Sequence, residues 1–237
     1  MRRLAIETAS MMQSVALEED GLLVDSSLHL QTEGHARGLA DTVAQLLARR
    51  GWQADSLDEL IVGAGPGSFT GLRIGLSFAK GLAFSSGARI RNVPSIAAIA
   101  AVLPAGGRLI YATEARRNEV YGGVVTTGPV VAELVAVGAY APVAFAAAAA
   151  AFAAGSWSAG NGAARYAEAF AAISAVSAPL EASFDAPTAA ALLAYLRSHD
   201  VDLVEPAMVE PAYVRPHGSA EQRAAALTAQ SGPVSTD

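Results

Sequence analysis

The sequence predicts an α/β protein of two lobes, each a mixed sheet flanked by helices. Three observations predict it. Short apolar runs of strand length alternate with stretches whose apolar residues recur at helical spacing. The same order, three strands and then helix and strand in turn, occurs in both halves of the chain. Finally, 52% apolar and 16% charged residues without a single cysteine describe a globular core closed by burial and not by disulfides.

In the first half, Leu4 to Thr8 reads as a buried strand, followed by strands at Gln13 to Glu18 and Leu22 to Leu30 around a turn at Glu19-Asp20-Gly21. Ala36, Leu39, Ala40, Val43, Leu46 and Leu47 predict a helix from Gly34 to Arg50, with Arg49 and Arg50 at its negative end and Gly51 as its stop. A strand at Leu57 to Val62, a glycine-rich loop, a helix rich in small residues, a strand at Arg89 to Val93 and a short helix opened by Pro94-Ser95 complete this lobe, residues 1–103. The second lobe, 104–215, has strands at Leu109 to Thr113, Glu119 to Thr126 and Val130 to Val137, a helix at Pro142 to Ala154 and a strand at Ser156 to Ala159. Helices at Ala163 to Ile173 and from Pro187 to Ser198 follow, the last placing proline at a favourable first position. Residues 216–237 form a polar, small-residue tail expected to be disordered. A three-strand meander followed by alternating helix and strand is the ribonuclease-H-like unit of the actin-like ATPase fold, here in two copies.

The stretch Gly63-Ala64-Gly65-Pro66-Gly67-Ser68-Phe69-Thr70-Gly71-Leu72-Arg73-Ile74-Gly75 joins a strand to a helix that Ser68 can cap. Such a loop either cradles an anion on its amides or lets a helix approach another surface closely. Neither common phosphate fingerprint fits: no Gly-Lys-Ser/Thr follows, and Ser68 occupies the third glycine of a Gly-x-Gly-x-x-Gly reading from Gly63. Gly71, Gly75, Ala79, Ala83 and Gly87 recur every four residues as a ridge almost free of side chains, while Ile74, Phe78 and Leu82 form a bulky ridge suited to a sheet. The small ridge suits packing within the chain or docking of a second helix, and spacing alone does not choose.

Charge excludes one class. A chain with 16 basic against 22 acidic residues and no basic stripe is poorly equipped to hold nucleic acid by itself, since phosphate neutralisation supplies most of that affinity. No run is long and apolar enough for a membrane span, and the first ten residues read as a strand and not a signal peptide, so a cytoplasmic location is expected.

Several segments resemble the TsaB (YeaZ) family of bacterial proteins: Leu4-Ala5-Ile6-Glu7-Thr8-Ala9 with Ser14-Val15-Ala16-Leu17, the loop and helix from Gly65 to Gly75, and Ala79-Lys80-Gly81-Leu82-Ala83. Arg116-Arg117 with Glu119-Val120-Tyr121, Gly160-Asn161-Gly162-Ala163 and Pro211-Ala212-Tyr213-Val214-Arg215 match more weakly. The resemblance implies a scaffold subunit for forming threonylcarbamoyladenosine beside the anticodon of tRNA. It also implies a catalytic paralogue, TsaD, carrying ATP and a metal ion, and an ATPase, TsaE. The chain alone is expected to form homodimers and to meet tRNA only through the complex. The implied partner contacts fall on His35, Leu39, Thr42, Val43 and Leu46 of the first helix and on Gly71, Arg73, Gly75, Ala79 and Lys80 of the second. Arg73 and Lys80 read equally as solvated charges or as partners of carboxylates across an interface.

Catalysis by this chain is not expected. Glu7, Thr8 and Ser10 stand at the strand end where the fold places an anion, but the corresponding turn of the second lobe, Glu114 to Asn118, has two arginines and no glycine. Gly160 and Gly162 complete a candidate vestigial nucleotide cleft. His29, His35, His199 and His217 include no pair at ligand spacing on a helix, and no His-Glu-x-x-His occurs. No cofactor or metal is therefore expected here. An ATP-dependent phosphotransferase and a metal-dependent peptidase remain as alternative classes.

Overall fold

The computed structural model describes residues 1–30, 38–127, 131–173 and 186–212. Strands β1 (Arg2–Glu7), β2 (Met12–Glu19) and β3 (Leu22–Leu30) form the expected antiparallel meander, Asp20 and Gly21 turning the second hairpin at positive φ. Then follow α1 (Leu39–Arg50), β4 (Glu59–Gly65), α2 (Phe69–Ser86), β5 (Arg89–Pro94) and α3 (Ser95–Ala100). The second half holds β6 (Arg108–Glu114), β7 (Val120–Thr126), β8 (Ala132–Tyr140), α4 (Pro142–Ala150), β9 (Trp157–Ala159), α5 (Asn161–Arg165), α6 (Ala167–Phe170), α7 (Ala189–Tyr195) and β10 (Leu203–Val204).

Two sheets result, ordered β10-β5-β4-β1-β2-β3 and β8-β7-β6-β9. In the first, β1 runs antiparallel to β2 and parallel to β4, so a strand whose both faces are covered must be apolar throughout, as Leu4, Ala5 and Ile6 are. Alternation then sorts the layers. Leu4, Ile6, Leu60 and Val62 face α1 and α2, whereas Ala5, Ala16, Ile61 and Val93 face α7. In the second sheet Ile110, Ala112 and Val124 face α4 and α6, while Leu109, Tyr111 and Val125 face Ile96, Ile99 and Ala100 of α3. Helices α3 and α7 thus form the middle layer between the sheets, each half of the chain lending it one.

That sharing revises the lobe boundaries. The segment 186–212, assigned from sequence to the second lobe, returns to the first: α7 packs on β1, β2 and β4, and β10 pairs with β5 at the sheet edge. A two-residue strand carries no periodicity, and it is absent from the sequence reading. Local differences have local causes. Thr188, whose Oγ1 accepts from the Ala191 N–H at 3.2 Å, caps α7, so Pro187 precedes the cap and does not open the helix. The run expected as one helix from Ala163 breaks at Tyr166, which leaves helical geometry at φ −118°. The expected start of the first helix at Gly34, with His35, and the tail 216–237 lie outside the described residues.

Candidate functional site

Two places are built well enough to consider: the cleft between the sheets, and the outward side of α1 and α2. The cleft encloses about 1090 Å³. Ser10 and Met11 from the β1–β2 turn, Ser68 and Phe69 from the glycine loop, Arg116 and Arg117 from the β6–β7 hairpin, and Gly160 and Asn161 after β9 line it. Of the residues expected to hold an anion, Ser10 and Gly160 line it, whereas Glu7, Thr8 and Gly162 do not. Several of the polar groups around it, however, are spent on one another. Gly65 N–H donates to Ser95 Oγ at 2.9 Å, Ser68 N–H to Ala9 O at 2.6 Å, and Gly71 N–H to the capping Ser68 Oγ at 3.2 Å. Ala9 N–H donates to Glu7 Oε1 at 2.5 Å, and Met12 N–H to Ser10 Oγ at 3.0 Å.

The glycines have the same explanation. A Cβ on Gly67 would stand 2.1 Å from Ala9 O, and one on Gly63 would stand 2.1 Å from Glu7 Oε2. On Gly160 it would stand 2.3 Å from Ala112 O, and on Gly162 2.9 Å from the same carbonyl. Real Cβ atoms do not approach so closely, so Gly160 and Gly162 answer to the backbone of β6 and need no ligand to account for them. Asn161 is committed too: its Oδ1 accepts from Thr113 Oγ1 at 2.8 Å and from Glu114 N–H at 2.9 Å.

Glu7 and Thr8 are buried and absent from the cleft wall. Burial, the largest influence, pushes the Glu7 carboxyl above the ordinary carboxylate range; the Ser95 hydroxyl and the backbone N–H groups of Ala9 and Thr8 pull the other way. No cation pairs with it among the described residues, and its Oε2 lacks a partner in hydrogen-bonding geometry. Thr8 Oγ1 donates to Gly71 O at 2.8 Å, fastening the start of α2 to the end of β1. Among the described residues no group of three His, Cys, Asp or Glu side chains could hold a metal ion, and no helix is long and apolar enough to cross a membrane.

The helices correct the sequence reading most. The small ridge of α2 faces inward: Gly71, Gly75, Ala79 and Ala83 are buried against the chain's own sheet together with Leu72 and Leu76. A Cβ on Gly75 would meet Thr8 Oγ1 at 2.4 Å, so the ridge lets α2 lie directly on β1. Leu39, Val43 and Leu46 of α1 are core residues as well, and Thr42 is half-buried, accepting from Gln13 Nε2 at 3.4 Å. These residues form the underside of the helices and are unavailable to a partner. Arg73 is exposed and stacks on the Phe69 ring at 4.0 Å, and Lys80 Nζ donates to Ala207 O at 3.4 Å.

What faces outward is a second stripe. Thr70, Arg73, Ser77, Gly81 and Phe84 of α2 are all exposed and recur at three- and four-residue spacing, flanked by half-buried Ile74, Phe78 and Leu82. On α1, Ala40, Ala44 and Ala48 form an exposed ridge. Gly81 stands apart from Gly75, because a Cβ there would meet nothing within 4 Å. The signal that could have found this face was present. Leu72 and Leu76, adjacent to the small ridge, mark the centre of the apolar side and hence the side that meets the sheet.

The family model described as TsaD: tRNA N6-adenosine threonylcarbamoyltransferase matches residues 29–193. The chain is 37% identical over 129 residues, 51% of its length and 53% of the relative's, to the tRNA threonylcarbamoyladenosine biosynthesis protein TsaB of Escherichia coli (strain K12). It is 34% identical over 105 residues, 38% of its length and 29% of the relative's, to a tRNA N6-adenosine threonylcarbamoyltransferase of Desulfovibrio desulfuricans. The chain spans about half the length of the curated TsaB relatives it matches. The fold agrees over more of the chain: a solved structure of YeaZ from Pseudomonas aeruginosa superposes with a TM-score of 0.71 at 27% identity, covering 90% of this chain and 99% of that one. With the matched region running from the end of β3 into α7, the chain belongs to this threonylcarbamoyltransferase-type family, within it to the TsaB (YeaZ) branch.

Proposed function

We propose that this chain is a non-catalytic subunit in the formation of threonylcarbamoyladenosine on tRNA, and that it docks a TsaD-type transferase through the outward face of α1 and α2. The observation that carries the reading is Gly81. Glycine in the interior of a helix costs roughly 1 kcal/mol relative to alanine. Gly71, buried with its carbonyl held by Thr8, and Gly75 have a reason inside the chain, but Gly81 has open space around it and an exposed Phe84, 71% accessible, in the same stripe. A helix laid against this stripe and the Ala40–Ala44–Ala48 ridge approaches closely and covers the phenylalanine. The likeness to both a TsaB protein and a transferase supports a pair of related chains, each offering a comparable helix.

The amides of Gly65, Ser68 and Gly71, already used within the chain, support the absence of catalysis here. In this reading ATP and the metal ion sit on the transferase, a TsaE-type ATPase joins the assembly, and tRNA is reached through the complex. Self-association of the isolated chain uses the same face. Titration calorimetry of the transferase into this chain tests the proposal. Gly81→Leu is expected to weaken binding roughly tenfold or more by holding the facing helix away, with the melting temperature retained. Unchanged affinity in folded Gly81→Leu protein, or ATP turnover by the chain alone, overturns it.

A further inference from the structure

The walls of the cleft between the sheets are apolar in one part and cationic in another. Met11, Leu28, Leu30 and Phe69 line it, exposed by 57, 47, 61 and 41%. They are four of the twelve large apolar side chains that stand exposed among the described residues. Scattered singly such residues need no explanation, but gathered in one concave place they suit an apolar occupant. Arg116 and Arg117, from the tip of the β6–β7 hairpin, line the same space. The acidic residue that lines it, Glu114, has Arg165 at 3.6 Å as its counter-charge. Arg73, stacked on Phe69 at 4.0 Å, brings a further cation to that wall. In a chain of net charge −6 the cleft is therefore a positive exception.

Arg117 is held there against its backbone preference. Its φ is +63°, and that of the following Asn118 is +57°. Asparagine tolerates this left-handed region and glycine enters it freely, whereas arginine seldom does. The hairpin imposes the turn: Glu114 pairs with Val120, and Ala115 N–H donates to Glu119 O at 2.9 Å. The Arg117 guanidinium makes no ion pair or hydrogen bond among the described residues, so no contact within the fold offsets the strain. We infer that the cleft binds a small amphiphilic carboxylate, its acid group held by Arg117 and its apolar body by the wall of Met11, Leu28 and Leu30. The guanidinium fork matches a carboxylate with two parallel hydrogen bonds. The space, about 1090 Å³, equals that of the largest small-molecule sites. A nucleotide fits less well, since its phosphates would call on the amides of Gly65, Ser68 and Gly71, which are already used. The inference does not rest on the docking of α1 and α2.

Calorimetry on the full chain tests it, with decanoate as the probe, kept below the concentration at which it forms micelles. Decyltrimethylammonium offers the same chain under the opposite charge. Decanoate is expected to bind saturably, and decyltrimethylammonium at least about tenfold more weakly. Arg117→Gly is expected to weaken decanoate binding roughly tenfold while the melting temperature holds or rises, because glycine releases the strained backbone. Leu28→Asn, folded by circular dichroism, is expected to weaken it about fivefold or more through the apolar wall. Unchanged affinity in Arg117→Gly, or equal binding of the two amphiphiles, overturns the inference. A lower melting temperature for Arg117→Gly also overturns it, since the arginine then serves the fold. So does ATP binding that Arg117→Gly abolishes, with no uptake of decanoate, since the cleft is then a nucleotide site. None of these outcomes depends on the transferase titration, which reads a different face.

Discussion

Where β1 and β4 begin, Arg3 donates to Glu59 Oε2 at 3.0 Å and to Glu18 Oε1 at 2.7 Å. Arg89 and Arg91 join Glu59 at 3.0 and 3.2 Å, and Arg197, just beyond α7, comes within 3.8 Å of Glu18. Where the same two strands finish, the arrangement is reversed. Among the described residues no cation pairs with buried Glu7, and contact is made by missing side chains: Gly63 beneath Glu7, Gly67 against Ala9, Gly75 against Thr8. One end of the sheet is held by compensated charge and the other by backbone proximity. The difference teaches where a partner or ligand has room. Both ends are closed by contacts within the chain, whereas the outward helix face is exposed.

The charged end breaks most expensively. Removing one partner of a buried ion cluster leaves carboxylates without compensation, typically at 3–5 kcal/mol. Arg3→Met is expected to cost about 3 kcal/mol, the low end of that range, because Glu59 keeps Arg89 and Arg91 while buried Glu18 keeps, among the described residues, only Arg197 at 3.8 Å. Urea unfolding at pH 7 measures it; a loss below about 1 kcal/mol would place the cluster with surface ion pairs, whose worth is of that size. At the other end, Gly75→Ala forces a methyl onto Thr8 Oγ1. The expected cost is about 1–3 kcal/mol. The double variant with Thr8→Ala should lose less than the sum of the single losses, because the clash goes with the hydroxyl.

Part of this contrast was legible in the sequence and part was not. Strand order, the Ser68 cap and the Asp20-Gly21 turn follow from local chemistry, and each is found where the residues place it. The inward facing of Gly71 and Gly75 was not recovered, because a small ridge fits a sheet as well as a neighbouring helix. Only the flanking Leu72 and Leu76 break the tie. The arginine cluster joins residues 3, 18, 59, 89, 91 and 197, drawn from distant stretches of chain, so no local window announces it. The return of 203–212 to the first sheet is hidden for the same reason: its anchors are long-range contacts, made largely to its own backbone, with no local side-chain pattern. In the candidate cleft, the residue types read as able to hold an anion, but sequence does not reveal that amides of Gly65, Ser68 and Gly71 are already used by their neighbours.

Titration sharpens the comparison, since the two ends have opposite signs. Burial alone would raise Glu59, but hydrogen bonds from Arg91 and Arg3 outweigh it and hold the carboxyl below the ordinary range. Its contribution is complete above the ordinary carboxylate pKa and is lost as pH falls through the depressed one. Glu7 is raised instead, so the native state holds that proton more tightly than the unfolded chain does. Stability therefore declines as pH climbs from the ordinary carboxylate value through the raised one. Glu7→Gln keeps the shape and removes the proton. We expect it to abolish that decline and to gain about 1 kcal/mol over the parent above the window, with little change at low pH. Denaturant midpoints taken across pH 4 to 9 test this, and parallel curves for variant and parent would refute it.

The smallest effect separates the two kinds of glycine on one helix. Gly81→Ala is the same chemical change as Gly75→Ala, six residues further along α2. Gly75 meets Thr8, whereas a Cβ at Gly81 meets nothing within 4 Å. Alanine at 81 should therefore restore helix propensity at no packing cost, raising stability by about 0.5–1 kcal/mol. Thermal unfolding of the isolated chain at low concentration measures it. A fall in stability there would mean that the outward face is covered, and that this glycine, like Gly75, serves the chain's own packing. A rise leaves a helix carrying a glycine that its own fold does not require, which is what a surface kept bare for another chain predicts.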